Sequence, residues 1–135
     1  MKFKICIVVA NYYPKISREL LLGAKIKLKK EKFNNYDIFF SPGVFELPTI
    51  IAKKINSYDA FIALGCVIKG KTPHFNFISK TSINGLMQLS IKHKIPIGNG
   101  IITCLNKKQA LKRSNPNQKN KGGEAANAVI SVLRT

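Results

Sequence analysis

Residues 63–77 read Ala-Leu-Gly-Cys-Val-Ile-Lys-Gly-Lys-Thr-Pro-His-Phe-Asn-Phe, passing from an apolar run through a short basic turn into a helix start. With Phe61 and Ile62 before it, the run has the unbroken apolar character of a parallel strand covered on both faces. Thr72 followed by Pro73 signals the helix: threonine caps free N–H groups, and proline has none to lose at the first helical position. The turn therefore offers backbone donors, a helix dipole and the ammonium groups of Lys69 and Lys71 to an anion. His74 follows at once, and histidine shuttles protons near neutral pH. An anion site beside a proton shuttle points to chemistry on a small phosphorylated molecule.

Outward from this stretch, apolar runs alternate with amphipathic segments. Strands are expected at 3–9, 36–41, 60–67 and 97–104, and helices near 16–31, 46–56, 73–93, 106–113 and 120–133. Such alternation predicts an α/β protein with a parallel sheet. Ile16, Leu20, Ala24 and Leu28 recur every four residues with lysines on the opposite face. Asn106 and Gln109 have capping-box spacing, and Asn115-Pro116-Asn117 separates the last two helices. In open parallel sheets ligands bind beyond the carboxyl ends of the strands. Residues 11–13, 42–46 and 69–74 all fall there, which predicts one shared site.

The length of 135 residues suits one domain, 1–135. No apolar stretch approaches a membrane span of roughly 18–20 residues. The lysines and apolar residues within 1–10 superficially resemble a signal peptide, but the apolar part is too short. Cys6, Cys66 and Cys104 are odd in number and lie inside apolar runs, as expected of reduced core thiols in a cytoplasmic protein. Their spacing matches no zinc pattern, and no metal is expected. The net charge of +17 raises the alternative of a basic nucleic-acid-binding module. Against it, the lysines are dispersed, and only Arg18, Arg113 and Arg134 supply guanidinium groups for bidentate contacts. Abundant Lys, Asn and Ile look like an amino-acid bias spread over the chain, of the kind an AT-rich genome produces. Nucleic acid is not the expected partner, although the charge can draw in anionic substrates.

Three segments together resemble the lumazine synthase family: residues 63–77; Pro42-Gly43-Val44-Phe45-Glu46-Leu47-Pro48; and residues 100–126, with Gln109-Ala110-Leu111-Lys112-Arg113 and Asn120-Lys121-Gly122-Gly123-Glu124. Segment 8–24 also fits, so the likeness covers nearly the whole chain. The resemblance implies a flavodoxin-like three-layer αβα sandwich around a four-stranded parallel sheet. It implies condensation of 5-amino-6-(D-ribitylamino)uracil with 3,4-dihydroxy-2-butanone 4-phosphate, with phosphate released and no cofactor. It further implies homopentamers, in some members assembled into sixty-subunit shells, with each site between neighbouring subunits. The archaeal-type riboflavin synthase shares this fold and is the enzymatic alternative. The signatures at 42–46 and around His74 favour the synthase of the lumazine.

Carried residue by residue, the resemblance makes His74 the acid/base. Tyr12, Val44, Phe45, Glu46, Cys66, Val67, Ile68 and Asn99 would meet the pyrimidine and its ribityl chain. Lys71, Thr72, Arg113 and Lys121 would hold the phosphate. Tyr12, Glu46 and His74 would come from one chain, and Asn99, Arg113 and Lys121 from the next. Each also has a plainer reading: Arg113 as a helix-end cation, Glu46 as a helix N-terminal acid. His93, the other histidine, reads as a helix-end residue. Lys71 stands where an acidic or small residue is expected, Tyr13 where asparagine is frequent, and Asn99 where relatives often carry phenylalanine.

Overall fold

The computed structural model describes residues 2–135; Met1, part of the expected 1–135 domain, lies outside the described residues. Four strands, β1 (Ile5–Ala10), β2 (Tyr36–Ser41), β3 (Ala60–Ile68) and β4 (Ile97–Cys104), form a wholly parallel sheet in the order β2-β1-β3-β4. The helices are α1 (Pro14–Lys30), α2 (Leu47–Lys54), α3 (His74–His93), α4 (Lys107–Ser114) and α5 (Lys121–Leu133), with one 3-10 turn at Val44–Glu46.

The central strands β1 and β3 are apolar throughout because both of their faces are covered, whereas the edge strands β2 and β4 carry polar residues such as Asp37 and Asn99 at exposed positions. Ile5, Ile7 and Val9 of β1, with Ile62 and Leu64 of β3, pack against the Ile16, Leu20, Ala24 and Leu28 stripe of α1 and against α5. Cys6, Val8 and Ala10, with Phe61, Ala63 and Val67, pack on the opposite side with Leu47 and Ile51 of α2 and Leu86 of α3. Successive side chains of a strand alternate between these layers. The result is the expected αβα sandwich.

Element ends depart from expectation where specific groups intervene. β1 starts at Ile5 rather than residue 3, because the Lys4 backbone bonds Asp59 instead: Lys4 N donates to Oδ2 and Asp59 N donates to Lys4 O, both at 2.8 Å. Helix α1 starts two residues early, at Pro14, where proline suits the first turn. Helix α3 starts one residue late. Pro73 is its cap residue, its carbonyl accepting from Asn76 N at 3.1 Å, while Thr72 Oγ1 accepts from His74 N only at a long 3.4 Å. At α4 the capping box forms with a shift: Asn106 Oδ1 accepts from Gln109 N at 2.8 Å, but Gln109 Oε1 reaches back to Leu105 N at 2.9 Å.

Two glycines mark close approaches that position the functional edge. A methyl on Gly65 would stand 2.7 Å from Val44 Cγ2, so the 3-10 turn lies directly on β3. A methyl on Gly122 would be driven into the Leu20 carbonyl, so the start of α5 lies on α1. Gly122→Ala is expected to cost about 2 kcal/mol despite alanine's better helix propensity, since backbone cannot yield as a side-chain tip can. Thermal unfolding should show Tm lowered by roughly 5–10 °C; an unchanged Tm would mean that the helices separate cheaply.

Candidate active site

Strand order reverses direction between β1 and β3, and the crevice beyond their carboxyl ends is where an open α/β sheet binds ligands. A cavity of about 520 Å³ opens there. Each wall comes from a different element. Tyr12 and Tyr13 follow β1; Pro42, Gly43, Val44, Phe45 and Glu46 follow β2; Cys66, Val67 and Ile68 end β3; and His74 and Ile78 begin α3. Thus Tyr12, Val44, Phe45, Glu46, Cys66, Val67, Ile68 and His74, separated widely in sequence, share one cavity.

Short hydrogen bonds hold these loops. The buried Ser17 hydroxyl donates to Ala10 O at 2.7 Å, closing the β1–α1 turn that carries the tyrosines. Asn11 N donates to Ser41 O at 2.9 Å, and the Ser41 hydroxyl donates to Gly43 O at 2.7 Å. Tyr12 is 70% exposed and Phe45 55%, so two aromatic faces stand uncovered at the rim. Tyr13 packs edge-on against Tyr12 with centroids 5.0 Å apart. Glu46 is half-buried at the N-terminal end of α2, and makes no ion pair or side-chain hydrogen bond among the described residues. Its carboxylate is free to accept from a ligand.

A second cavity, of about 780 Å³, lies along the edge strand β4 and the start of α5. Asn99, Arg113 and Lys121 line it, together with Thr103, Lys119 and Glu124. Arg113 is half-buried, and its Nη1 donates to Thr103 O at 2.8 Å, which aims the guanidinium from the end of β4. The same Nη1 lies 3.9 Å from the sulfur of Cys104. Cys104 is held below the ordinary thiol range by the Cys66 thiol hydrogen-bonding to it and by the Arg113 charge. Cys66 and Cys104 share a sheet face two registers apart, and all three cysteines are free. Asn99 Oδ1 accepts from Ile101 N at 3.1 Å, satisfying a donor of an edge strand. Asn120 adopts the left-handed conformation (φ 48°) and its Oδ1 accepts from Gly123 N at 3.2 Å, which fixes where Lys121 leaves the chain.

Among the described residues none lines both cavities. The first contains aromatic rings, a carboxylate and a histidine but no lysine or arginine; the second gathers the cations. Lys71 and Thr72 line neither, lying in the exposed turn just before His74. Sequence reasoning missed Thr103, whose contribution is a backbone carbonyl and leaves no side-chain signal. It also missed Lys119 and Glu124. A cation two residues before Lys121 was a usable signal, masked by the abundance of lysine.

The family model described as 6,7-dimethyl-8-ribityllumazine synthase matches residues 2–135. The chain is 43% identical to 6,7-dimethyl-8-ribityllumazine synthase 1 of Rhodopseudomonas palustris, over 97% of this chain and 84% of that relative. It is 44% identical to the protein of that family name from Bartonella tribocorum, over 96% of this chain and 87% of the relative. For the Zymomonas mobilis protein the identity is 42%, over 96% and 94%. With its fold, its two cavities and these similarities over nearly its whole length, the chain belongs to the 6,7-dimethyl-8-ribityllumazine synthase family.

Proposed function

We propose that this chain is the transferase that makes 6,7-dimethyl-8-ribityllumazine in riboflavin biosynthesis, from 5-amino-6-(D-ribitylamino)uracil and 3,4-dihydroxy-2-butanone 4-phosphate. The observation that carries the mechanism is the division of chemistry between the cavities. One holds aromatic faces, a free carboxylate and His74, and the other holds Arg113, Lys119 and Lys121. A flat heterocycle suits the first, since Tyr12 and Phe45 present uncovered rings to it. A phosphate suits the second, where a guanidinium already anchored through Nη1 keeps its remaining N–H groups for oxygen atoms.

Both substrates must meet, so the first cavity of one subunit faces the second cavity of its neighbour in a homopentamer. In this arrangement Lys71 and Thr72, exposed beside His74, contact the phosphate from the opposite side. The primary amine of the pyrimidine adds to the ketone and loses water to form an imine. Phosphate then leaves, and the ribitylamino nitrogen attacks the newly formed carbonyl, with loss of a second water, to close the ring. His74 carries protons in these steps, Glu46 accepts from the pyrimidine edge, and holding two reactants together supplies much of the rate. The protein works in the cytoplasm, consistent with its three free cysteines; among the described residues no helix is long and apolar enough to cross a membrane. The family match favours this reaction over lumazine dismutation and over nucleic-acid binding.

Turnover of the two purified substrates, followed by lumazine absorbance, is the direct test; no product from folded, assembled protein would sink the assignment. Arg113→Ala should weaken butanone phosphate by roughly 10- to 100-fold and leave the pyrimidine within about twofold, as expected for loss of a charge-assisted contact. Calorimetric titration of each ligand separates the effects. Equal losses for both would give Arg113 a structural role.

A further inference from the structure

We propose that Lys119 is a further cationic contact for the phosphate of the butanone substrate, the third on the β4 side beside Arg113 and Lys121, and a determinant of the site's preference for a dianion. The inference rests on the lumazine synthase reading above and deepens it.

The β4-side cavity contains three cations, Arg113, Lys119 and Lys121, and one carboxylate, Glu124. They are not equivalent. Lys121 Nζ lies 3.3 Å from one oxygen of Glu124 and 3.2 Å from the other, so its charge is already compensated within the protein. Arg113 has Nη1 committed to Thr103 O. Lys119 makes no ion pair among the described residues and is exposed, so its ammonium joins the Arg113 guanidinium as the two uncompensated charges of the cavity.

Its backbone position is set by a closed loop rather than a loose one. Asn115 holds the segment between α4 and α5: its carbonyl accepts from Gln118 N and Asn120 N, both at 3.0 Å, and its Oδ1 accepts from Asn117 N at 2.8 Å. Lys119 N donates to Lys112 O at 3.2 Å, tying this residue to the last turn of α4 beside Arg113. Three positive groups less Glu124 leave two net positive charges, the complement of a phosphate monoester whose second pKa lies near 6. Without Lys119 the cavity would match only a monoanion. The competing account is that Lys119 is one more lysine of a basic chain, contributing only to a diffuse field.

The test uses the assembled protein, with inorganic phosphate as competitive inhibitor and butanone phosphate as varied substrate. Lys119→Gln should raise the Ki of phosphate and the KM of butanone phosphate by roughly three- to tenfold, with the pyrimidine KM within about twofold. Lys119→Arg should restore both. The difference should shrink as NaCl rises from about 50 to about 300 mM. Lys25→Gln, on α1 and lining neither cavity, controls for the diffuse field and should change Ki by less than about 1.5-fold. An unchanged Ki in Lys119→Gln overturns the proposal. So does an equal rise in Lys25→Gln, which assigns the effect to net charge. Arg113→Ala run in parallel separates the levels. If it raises Ki while Lys119→Gln does not, only Lys119 is removed from the site. If neither does, the phosphate assignment of this cavity fails as well.

Discussion

Replacing His74 by alanine is expected to lower kcat by on the order of 100-fold while the Kd of each substrate stays within about twofold, the signature of a lost proton-transfer group. The expectation follows from placement. His74 is the first residue of α3 and lines the cavity with Tyr12, Glu46 and Phe45, yet its side chain is exposed and makes no hydrogen bond among the described residues. Alanine is well accepted at a helix start that neither packs nor pairs, so Tm should not move. Imine formation, phosphate departure and ring closure each shift a proton, and no other imidazole lines this cavity. Single-turnover kinetics with both substrates bound isolates the chemical step. Partial rescue by added imidazole would be a second sign that a proton carrier is missing. A kcat unchanged in the variant would remove His74 from the mechanism and leave positioning as the whole of catalysis.

The architecture was readable because its determinants are local and periodic. The four-residue recurrence at Ile16, Leu20, Ala24 and Leu28 emerges as a fully buried stripe, and the unbroken apolar run at 60–67 emerges as the strand buried on both sides. Where boundaries moved, a long-range contact had decided. The pairing of Lys4 with Asp59, 55 positions away, shortens β1, and no window of sequence contains both partners. The same limit governs the site. Segments flanking strand ends were legible as one edge, because parallel strands must present their carboxyl ends together. That Arg113 is aimed by the carbonyl of Thr103 was not legible, since a backbone oxygen has the same chemistry at every position. Lys119 was hidden for a statistical reason: among 23 basic residues, one more lysine carries no signal until the fold places it beside Arg113.

Mixing His74→Ala with Arg113→Ala subunits is expected to raise activity above both parents when butanone phosphate is held well below the KM of the Arg113→Ala variant. The argument turns on the separation of the cavities within one chain. His74 and Glu46 line one cavity, Arg113 and Lys121 line the other, and none of the described residues is common to both. β3 ends in the first cavity and β4 borders the second, so on the proposed mechanism a single subunit would offer two incomplete sites rather than one complete site. In a ring, each subunit would give its aromatic cavity to one neighbour and its cationic cavity to the other, a heterologous contact that closes on itself. After dissociation and reassembly of an equal mixture, roughly a quarter of interfaces would join an intact His74 half to an intact Arg113 half. Activity should therefore approach roughly a quarter of wild type, far above either parent, while another quarter of interfaces carry both lesions. Assembly is checked independently by sedimentation, so failure to reassemble is not mistaken for failure to complement. Mixed rings of the right size with no gain over the parents would place both halves of each site in the same subunit, and the shared-site mechanism would have to be given up.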